Sequence, residues 1–205
     1  MSILNAFISP KRVRVMVDTF AASSAIGQNS HMSKLLALPH SGVVVGARGQ
    51  QMLFSWIFSD MHMSMAEDYD AVVQKLPSIL STVTDRFFDL CRAKGIDTWG
   101  GLELVVAGWS NAADRMLGIR FERWPTDSSF KAVPIESHSL GPNVQLPDRH
   151  DLPNSVAQMT ALAKEQVNTL KAMIPGAAVG GRLLLAEAAR DSMSIRTIAD
   201  LEATA

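Results

Sequence analysis

The stretch from Ser2 to Asp18 constrains this chain most. Ser2 to Ser9 reads Ser-Ile-Leu-Asn-Ala-Phe-Ile-Ser. It is too short for a stable helix and apolar enough for a strand. Ser9-Pro10-Lys11 is a turn signal, because proline presets the backbone of a tight turn. Arg12 to Asp18 then alternates as Arg-Val-Arg-Val-Met-Val-Asp, the period of a half-buried strand. Together the two segments predict a hairpin that opens the chain and begins its core.

The rest of the sequence falls into runs. Thr19 to Ser33 is small and polar and reads as a loop, and Lys34–Leu38 and Gly42–Ala47 read as short strands. The period then lengthens. Met52, Leu53, Trp56, Ile57, Met61 and Met65 fit the apolar face of a helix over 50–65. A second helix is predicted over Glu67–Lys94, with Pro77 expected to kink or break it and Gly95 ending it. Strands return at Leu102–Trp109, Arg115–Arg123 and Phe130–Ile135. Pro142–Pro153 reads as a loop and Ser155–Ile174 as a helix capped by Asn154 or Ser155. Arg182–Ala186 and Met193–Ile198 close the chain as strands. Segregated runs of strands and helices predict an α+β fold with antiparallel sheets and helical layers outside, in place of parallel β-α units. With no linker long enough to separate two units, residues 1–205 read as one domain.

Composition narrows the function classes. Apolar residues make up 47% of the 205 positions and charged residues 19%, enough for a sizeable core and against global disorder. Nineteen Lys and Arg against twenty Asp and Glu leave a net charge of -1, so no chain-wide basic field for nucleic acid is expected. The single cysteine, Cys91, excludes an internal disulfide and a multi-cysteine metal site. It reads as a packed thiol. No apolar run reaches the roughly 18–20 residues of a membrane span, and Lys11, Arg12 and Arg14 follow the apolar start instead of preceding it, unlike a signal peptide. A cytoplasmic protein without membrane association is the expectation. His31, His40, His62, His138 and His150 lack the paired spacing of a zinc site, so neither metal nor cofactor is expected.

The chemistry points to the start of the chain. An initiator methionine before a residue as small as serine is normally removed, which would leave Ser2 with a free α-amine. A hydroxyl beside its own amine is a self-contained nucleophile and base. The amine titrates at about 7.7–8.0 unperturbed, so a nearby cation brings it to working range. That cation needs a carboxylate to hold it, and the reaction needs N–H donors for an oxyanion.

Ser2, Asp18 and Lys34 follow one another at intervals of sixteen residues. Asp18-Thr19 ends the second predicted strand, and Val43-Val44-Val45-Gly46-Ala47-Arg48-Gly49-Gln50 is a strand followed by a glycine opening a helix. On these residues the chain resembles the proteasome-type N-terminal-nucleophile (Ntn) hydrolases, the family of proteasome β subunits and bacterial proteasome-like peptidases. The resemblance implies a four-layer αββα sandwich of two antiparallel sheets between helical layers. It implies peptide-bond hydrolysis of a peptide or protein substrate through an acyl-enzyme. It also implies a homo-oligomeric ring, in stacked double form in some members, with an unfoldase as a possible partner. Ser2 takes the place of the nucleophile, Lys34 of the cation, Asp18 of its anchor, and Gly49 of the oxyanion-hole glycine. Ser139, in Ser139-Leu140-Gly141-Pro142, takes that of a serine supporting the site. Two departures stand out: the nucleophile is serine where the family has threonine, and Gly176 to Gly181 carries neither the Asp nor the Ser that supports the amine there. An inactive ring or shell subunit, or an amidohydrolase acting on a small amide, are the alternatives.

Overall fold

The computed structural model describes residues 2–23, 28–96, 99–142, 153–174 and 176–201. In chain order its elements are β1 (Leu4–Ser9), β2 (Arg12–Asp18), β3 (Phe20–Ser23), β4 (Gln28–His31), β5 (Leu35–Leu38) and β6 (Val43–Gly49). Two helices follow, α1 (Gln51–Met63) and α2 (Tyr69–Lys94). Then come β7 (Leu102–Ser110), β8 (Arg115–Arg123), β9 (Lys131–Pro134), β10 (His138–Gly141), α3 (Val156–Met173), β11 (Arg182–Ala189) and β12 (Ser192–Asp200).

The opening hairpin forms as its alternation predicts. β1 and β2 pair antiparallel from Leu4 opposite Val17 to Ser9 opposite Arg12. They sit inside a five-stranded sheet of order β10-β1-β2-β11-β12. A second five-stranded sheet has the order β5-β6-β7-β8-β9, and β3 and β4 form a two-stranded ribbon. Every pairing in the three sheets is antiparallel.

The apolar side chains explain how the sheets are held. Leu4, Ala6, Val13, Val15, Val17 and Ala186 of the first sheet pack with Leu35, Val44, Val105 and Ala107 of the second. The opposite face of the first sheet, through Phe7, Met16, Leu183 and Leu185, meets Met159, Leu162 and Leu170 of α3. The opposite face of the second, through Val43, Val45 and Leu104, meets Leu53 and Ile57 of α1 and Leu76 and Leu80 of α2. Both faces of β2 are therefore covered, and Val13, Val15, Met16 and Val17 are all fully buried. Close approach between the five-stranded sheets depends on Gly46: a Cβ there would stand 2.8 Å from both Leu4 Cδ1 and Val15 Cγ1.

The expected four-layer αββα sandwich of two sheets is corrected by this architecture. The described residues form a mostly β structure of three antiparallel sheets with three helices. The third sheet comes from 19–33, read as a loop because its residues are small and polar; Phe20 to Ser23 nonetheless pairs with Gln28 to His31. Pro77 neither breaks nor divides α2, which runs unbroken from Tyr69 to Lys94 with Leu76 and Leu80 buried on either side of the proline. Ser155, not Asn154, caps α3: its hydroxyl accepts from Gln158 N while the Gln158 side chain accepts from Ser155 N, a reciprocal capping box. Most of the loop expected over 142–153 lies outside the described residues. No helix among the described residues is long and apolar enough to cross a membrane.

One buried polar pair ties the layers together beside the hairpin. Asn5 and Gln166 are fully buried. Asn5 Nδ2 donates to Gln166 Oε1 at 2.6 Å, and Gln166 Nε2 and Gly141 N both donate to Asn5 Oδ1 at 3.1 Å. Asn5 thereby fixes β1 to α3 and to β10. Gln166→Leu leaves part of the Asn5 amide unsatisfied in a dry site, and is expected to cost about 1–3 kcal/mol of stability. A urea titration reads this as a lowered midpoint at unchanged slope; an unchanged midpoint contradicts it.

Candidate active site

Two strands and a turn occupy the sixteen residues from Ile3 to Asp18, so the hairpin returns the chain to its starting point. Ile3 N donates to Asp18 Oδ1 at 2.8 Å, closing the open end of the hairpin. Lys34, immediately before β5, sends its side chain into the same place. Its Nζ donates to Asp18 Oδ1 at 3.0 Å, to Ser2 Oγ at 2.8 Å and to the carbonyl of Phe20. An ammonium carries three N–H donors, and here each has an acceptor. The other Asp18 oxygen, Oδ2, accepts from Gly180 N at 3.2 Å. Gly180 is held there because its carbonyl accepts from Phe20 N and the neighbouring Arg182 carbonyl accepts from Thr19 N.

The electrostatics follow from burial. Asp18 is 0% exposed and Lys34 1%, while Ser2 is half-buried. Removal from water pushes Lys34 below its ordinary value of 10.5, and the Asp18 charge partly opposes this. The same burial pushes Asp18 above 3.8, opposed by Lys34 and by the N–H groups of Gly180 and Ile3. The attraction within the pair and its backbone hydrogen bonds, not water, are what favour the ionised forms against this burial. Apart from Asp18 and the Phe20 carbonyl, Lys34 Nζ bonds the Ser2 hydroxyl.

Hydrogen bonds join Ser2, Asp18 and Lys34; among the described residues the bonds of Gly49 and Ser139 go to other partners. Gly49 closes β6 at φ +107°, where an added Cβ would collide with the Gly101 carbonyl. Its own carbonyl accepts from Gln51 Nε2 at 3.2 Å. Ser139 lies opposite Ala6 in the β1–β10 ladder, four positions along the strand from Ser2, and its hydroxyl accepts from Arg120 Nη1 at 3.1 Å. Met1 lies outside the described residues.

Sequence reasoning missed three contributors: the Ile3 and Gly180 N–H groups and the Phe20 carbonyl. All act through the backbone, which leaves no residue-type signal. It also missed how Arg48 is held. Arg48 Nε and Nη2 donate to Glu103 Oε2 at 3.0 and 2.7 Å, and its guanidinium lies 5.2 Å from the centre of the Trp124 ring. The adjacent Glu103 Oε1 is buried without a hydrogen-bond partner. Position 48 is thereby pinned at the end of β6, beside Gly49.

Among the described residues no histidine hydrogen-bonds to Ser2, Asp18 or Lys34. His40 and His62 meet edge to face with ring centres 5.6 Å apart, and His31 lies 3.3 Å from Thr19 Oγ1. Among the described residues no group of three His, Cys, Asp or Glu side chains is placed to hold a metal ion. Cys91 is buried on α2.

No known family profile matches the chain, and no curated protein matches it by sequence. Solved structures do. An Anbu (Gly-1) mutant from Hyphomicrobium sp. strain MC1 superposes with a TM-score of 0.66 at 12% identity, covering 97% of this chain and 88% of that one. Anbu (ancestral beta-subunit) from Yersinia bercovieri superposes with a TM-score of 0.65 at 14% identity, covering 96% and 86%. The resemblance to proteasome β subunits and bacterial proteasome-like peptidases is corrected accordingly: the structural neighbours are Anbu proteins, a proteasome-like but distinct group. A sixteen-residue spacing fixes the length of a hairpin and the partner of a charge, and these do not separate one family from another. At this identity the likeness is one of fold.

Proposed function

We propose that this chain is a hydrolase subunit that cleaves peptide bonds with Ser2 as an N-terminal nucleophile, within an assembly of like subunits. The observation that carries the reading is the contact of Lys34 Nζ with Ser2 Oγ at 2.8 Å, made by a buried lysine that Asp18 anchors at 3.0 Å. A buried lysine aimed at a hydroxyl is costly to fold and has a clear chemical use. The Anbu fold likeness supports a subunit role, since one of those structures is described as an ancestral β-subunit.

In this mechanism removal of Met1 frees the Ser2 amine. Ser2 Oγ attacks the scissile carbonyl carbon, and its proton passes to the amine, directly or through a water molecule. The Lys34 charge keeps the amine deprotonated near neutral pH, lowering it from about 7.7–8.0. Asp18 orients Lys34, and the backbone at Gly49 is the candidate donor to the tetrahedral oxyanion. Collapse breaks the C–N bond, and the leaving amine takes the proton. Water then attacks the Ser2 ester and releases the carboxylate product. Ser139, through its contact with Arg120, has a supporting place on β10 in this reading.

A second reading, an inactive shell subunit, is favoured by one observation. The segment before β11 gives Asp18 only the Gly180 N–H, with no carboxylate from 176–181 to support the amine.

Two outcomes separate these readings. Ser2→Ala, at a half-buried position outside the cores, should leave assembly intact by native mass spectrometry and reduce peptide turnover roughly a thousandfold or more. Turnover that survives the substitution contradicts the first reading, and its absence from the parent chain after Met1 removal supports the second. The pH profile of kcat/KM should be bell-shaped. The acid limb reports the amine, and the alkaline limb reports loss of the Lys34 proton, below pH 10.5. Because the Asp18 charge raises Lys34, Asp18→Asn should move the alkaline limb to lower pH; a limb that stays in place removes Asp18 from the proposed role.

A further inference from the structure

His31 stands where three stretches of backbone meet beside the Ser2 cluster. It ends β4 and lies opposite Phe20 in the β3–β4 register. Its ring meets the Phe20 ring edge to face, with centres 5.9 Å apart. Its Nδ1 is 3.3 Å from Thr19 Oγ1. The ring also lies against Gly181: a Cβ added there would stand 2.7 Å from His31 Nδ1, and 2.8 Å from His31 Cε1 and from Thr19 Oγ1. The imidazole thus occupies the space that a side chain at 181 would need, and glycine is required beneath it.

These contacts fall on the main chain that holds the ion pair. Thr19 and Phe20 follow Asp18 directly, and the Phe20 carbonyl accepts from Lys34 Nζ. Gly180 N donates to Asp18 Oδ2 at 3.2 Å. The two segments are joined by Thr19 N donating to the Arg182 carbonyl at 3.0 Å and by Phe20 N donating to the Gly180 carbonyl at 3.2 Å. Arg182 N adds a third bond, to Thr19 Oγ1 at 2.9 Å. With Nδ1 as acceptor, the Thr19 hydroxyl donates to His31 while accepting from Arg182, so it is bonded in both directions. Gly180 and Gly181 have φ of +137° and +72°. Paired glycines make a permissive stretch of backbone. The N–H that serves Asp18 therefore sits on a segment that needs restraint from outside, and the His31 ring supplies it.

We propose that His31 is a positioning residue for the Ser2 site. It acts through Thr19, Phe20 and Gly181, clamping the chain after Asp18 to the chain before β11. The clamp keeps the Phe20 carbonyl on Lys34 and the Gly180 N–H on Asp18, and so keeps Lys34 Nζ at 2.8 Å from Ser2 Oγ. The inference rests on the reading of Ser2 as the nucleophile, but the clamp itself is a property of the fold and is measured separately.

The test compares His31→Ala, which removes the clamp, with His31→Asn, whose Oδ1 takes the place of Nδ1 toward Thr19. The full chain is followed by amide hydrogen exchange and by the rate of adduct formation on Ser2 with a fluorophosphonate. His31→Ala should speed exchange at Gly180 and Arg182 by about tenfold, with Val15 and Val106 in the sheet interiors unchanged. It should slow labelling by about fivefold or more, and His31→Asn should return both readouts to within about twofold of the parent. Unchanged exchange at Gly180 in the alanine variant overturns the proposal. So does faster exchange with unchanged labelling, or an asparagine variant no better than alanine. Exchange that rises at Val15 and Val106 as much as at Gly180 also overturns it, since that is a general loss of stability. A parent chain that takes no adduct overturns the reading of Ser2 instead, and there the exchange at Gly180 alone decides whether His31 is the clamp.

Discussion

The pairing of Lys34 with Asp18 is the interaction on which the rest of this structure turns. Neither side chain has access to water, so each is tolerable only because of the other and of the backbone donors around them. Deleting one member of such a pair leaves an uncompensated charge, at a cost of about 3–5 kcal/mol. The geometry that avoids this cost is demanding. The hairpin must be of the right length to set Asp18 beside Ile3, the segment before β5 must approach from the second sheet, and the chain before β11 must present the Gly180 N–H. One ion pair therefore links three distant parts of the sequence.

The apolar packing makes that demand affordable. The valines of β2 meet the second sheet, and Met16 meets the α3 side, so the strand that ends in Asp18 is clamped on both faces. Asn5 does the same for the partner strand by bonding α3 and β10 at once. Rigid strands deliver Ser2 and Asp18 with little freedom, which is how a preorganised site differs from one assembled on loops. Arg48 extends the principle to the next element, fixed by Glu103 and the Trp124 ring at the point where β6 ends.

Much of this was legible in the residues, for identifiable reasons. Period-two alternation in Arg12–Asp18 and the proline turn before it specify the hairpin, and the spacing of Ser2, Asp18 and Lys34 specifies which side chains the hairpin and the next strand bring together. What was not legible has equally physical causes. The β3–β4 ribbon has small side chains with little apolar signal, and β10 is only four residues long. Gly180, Ile3 and Phe20 contribute main-chain atoms that no residue code announces. Ser139 was placed by its motif, but the register that sets it opposite Ala6 depends on a sheet pairing 133 positions apart in sequence. That ribbon is the third sheet that corrects the expected sandwich of two, and three spaced residues do not separate proteasome β subunits from Anbu proteins.

The central claim is that Ser2, once it is the first residue, is the nucleophile that Lys34 holds. Covalent labelling tests it most directly: the purified protein is treated with a serine-reactive fluorophosphonate, its intact mass is measured, and the adduct is located by peptide mapping. The account predicts a chain without Met1 carrying a single adduct on Ser2, lost when Lys34 is replaced by Met. A chain that retains Met1 and takes no adduct, or an adduct on any other residue, contradicts it.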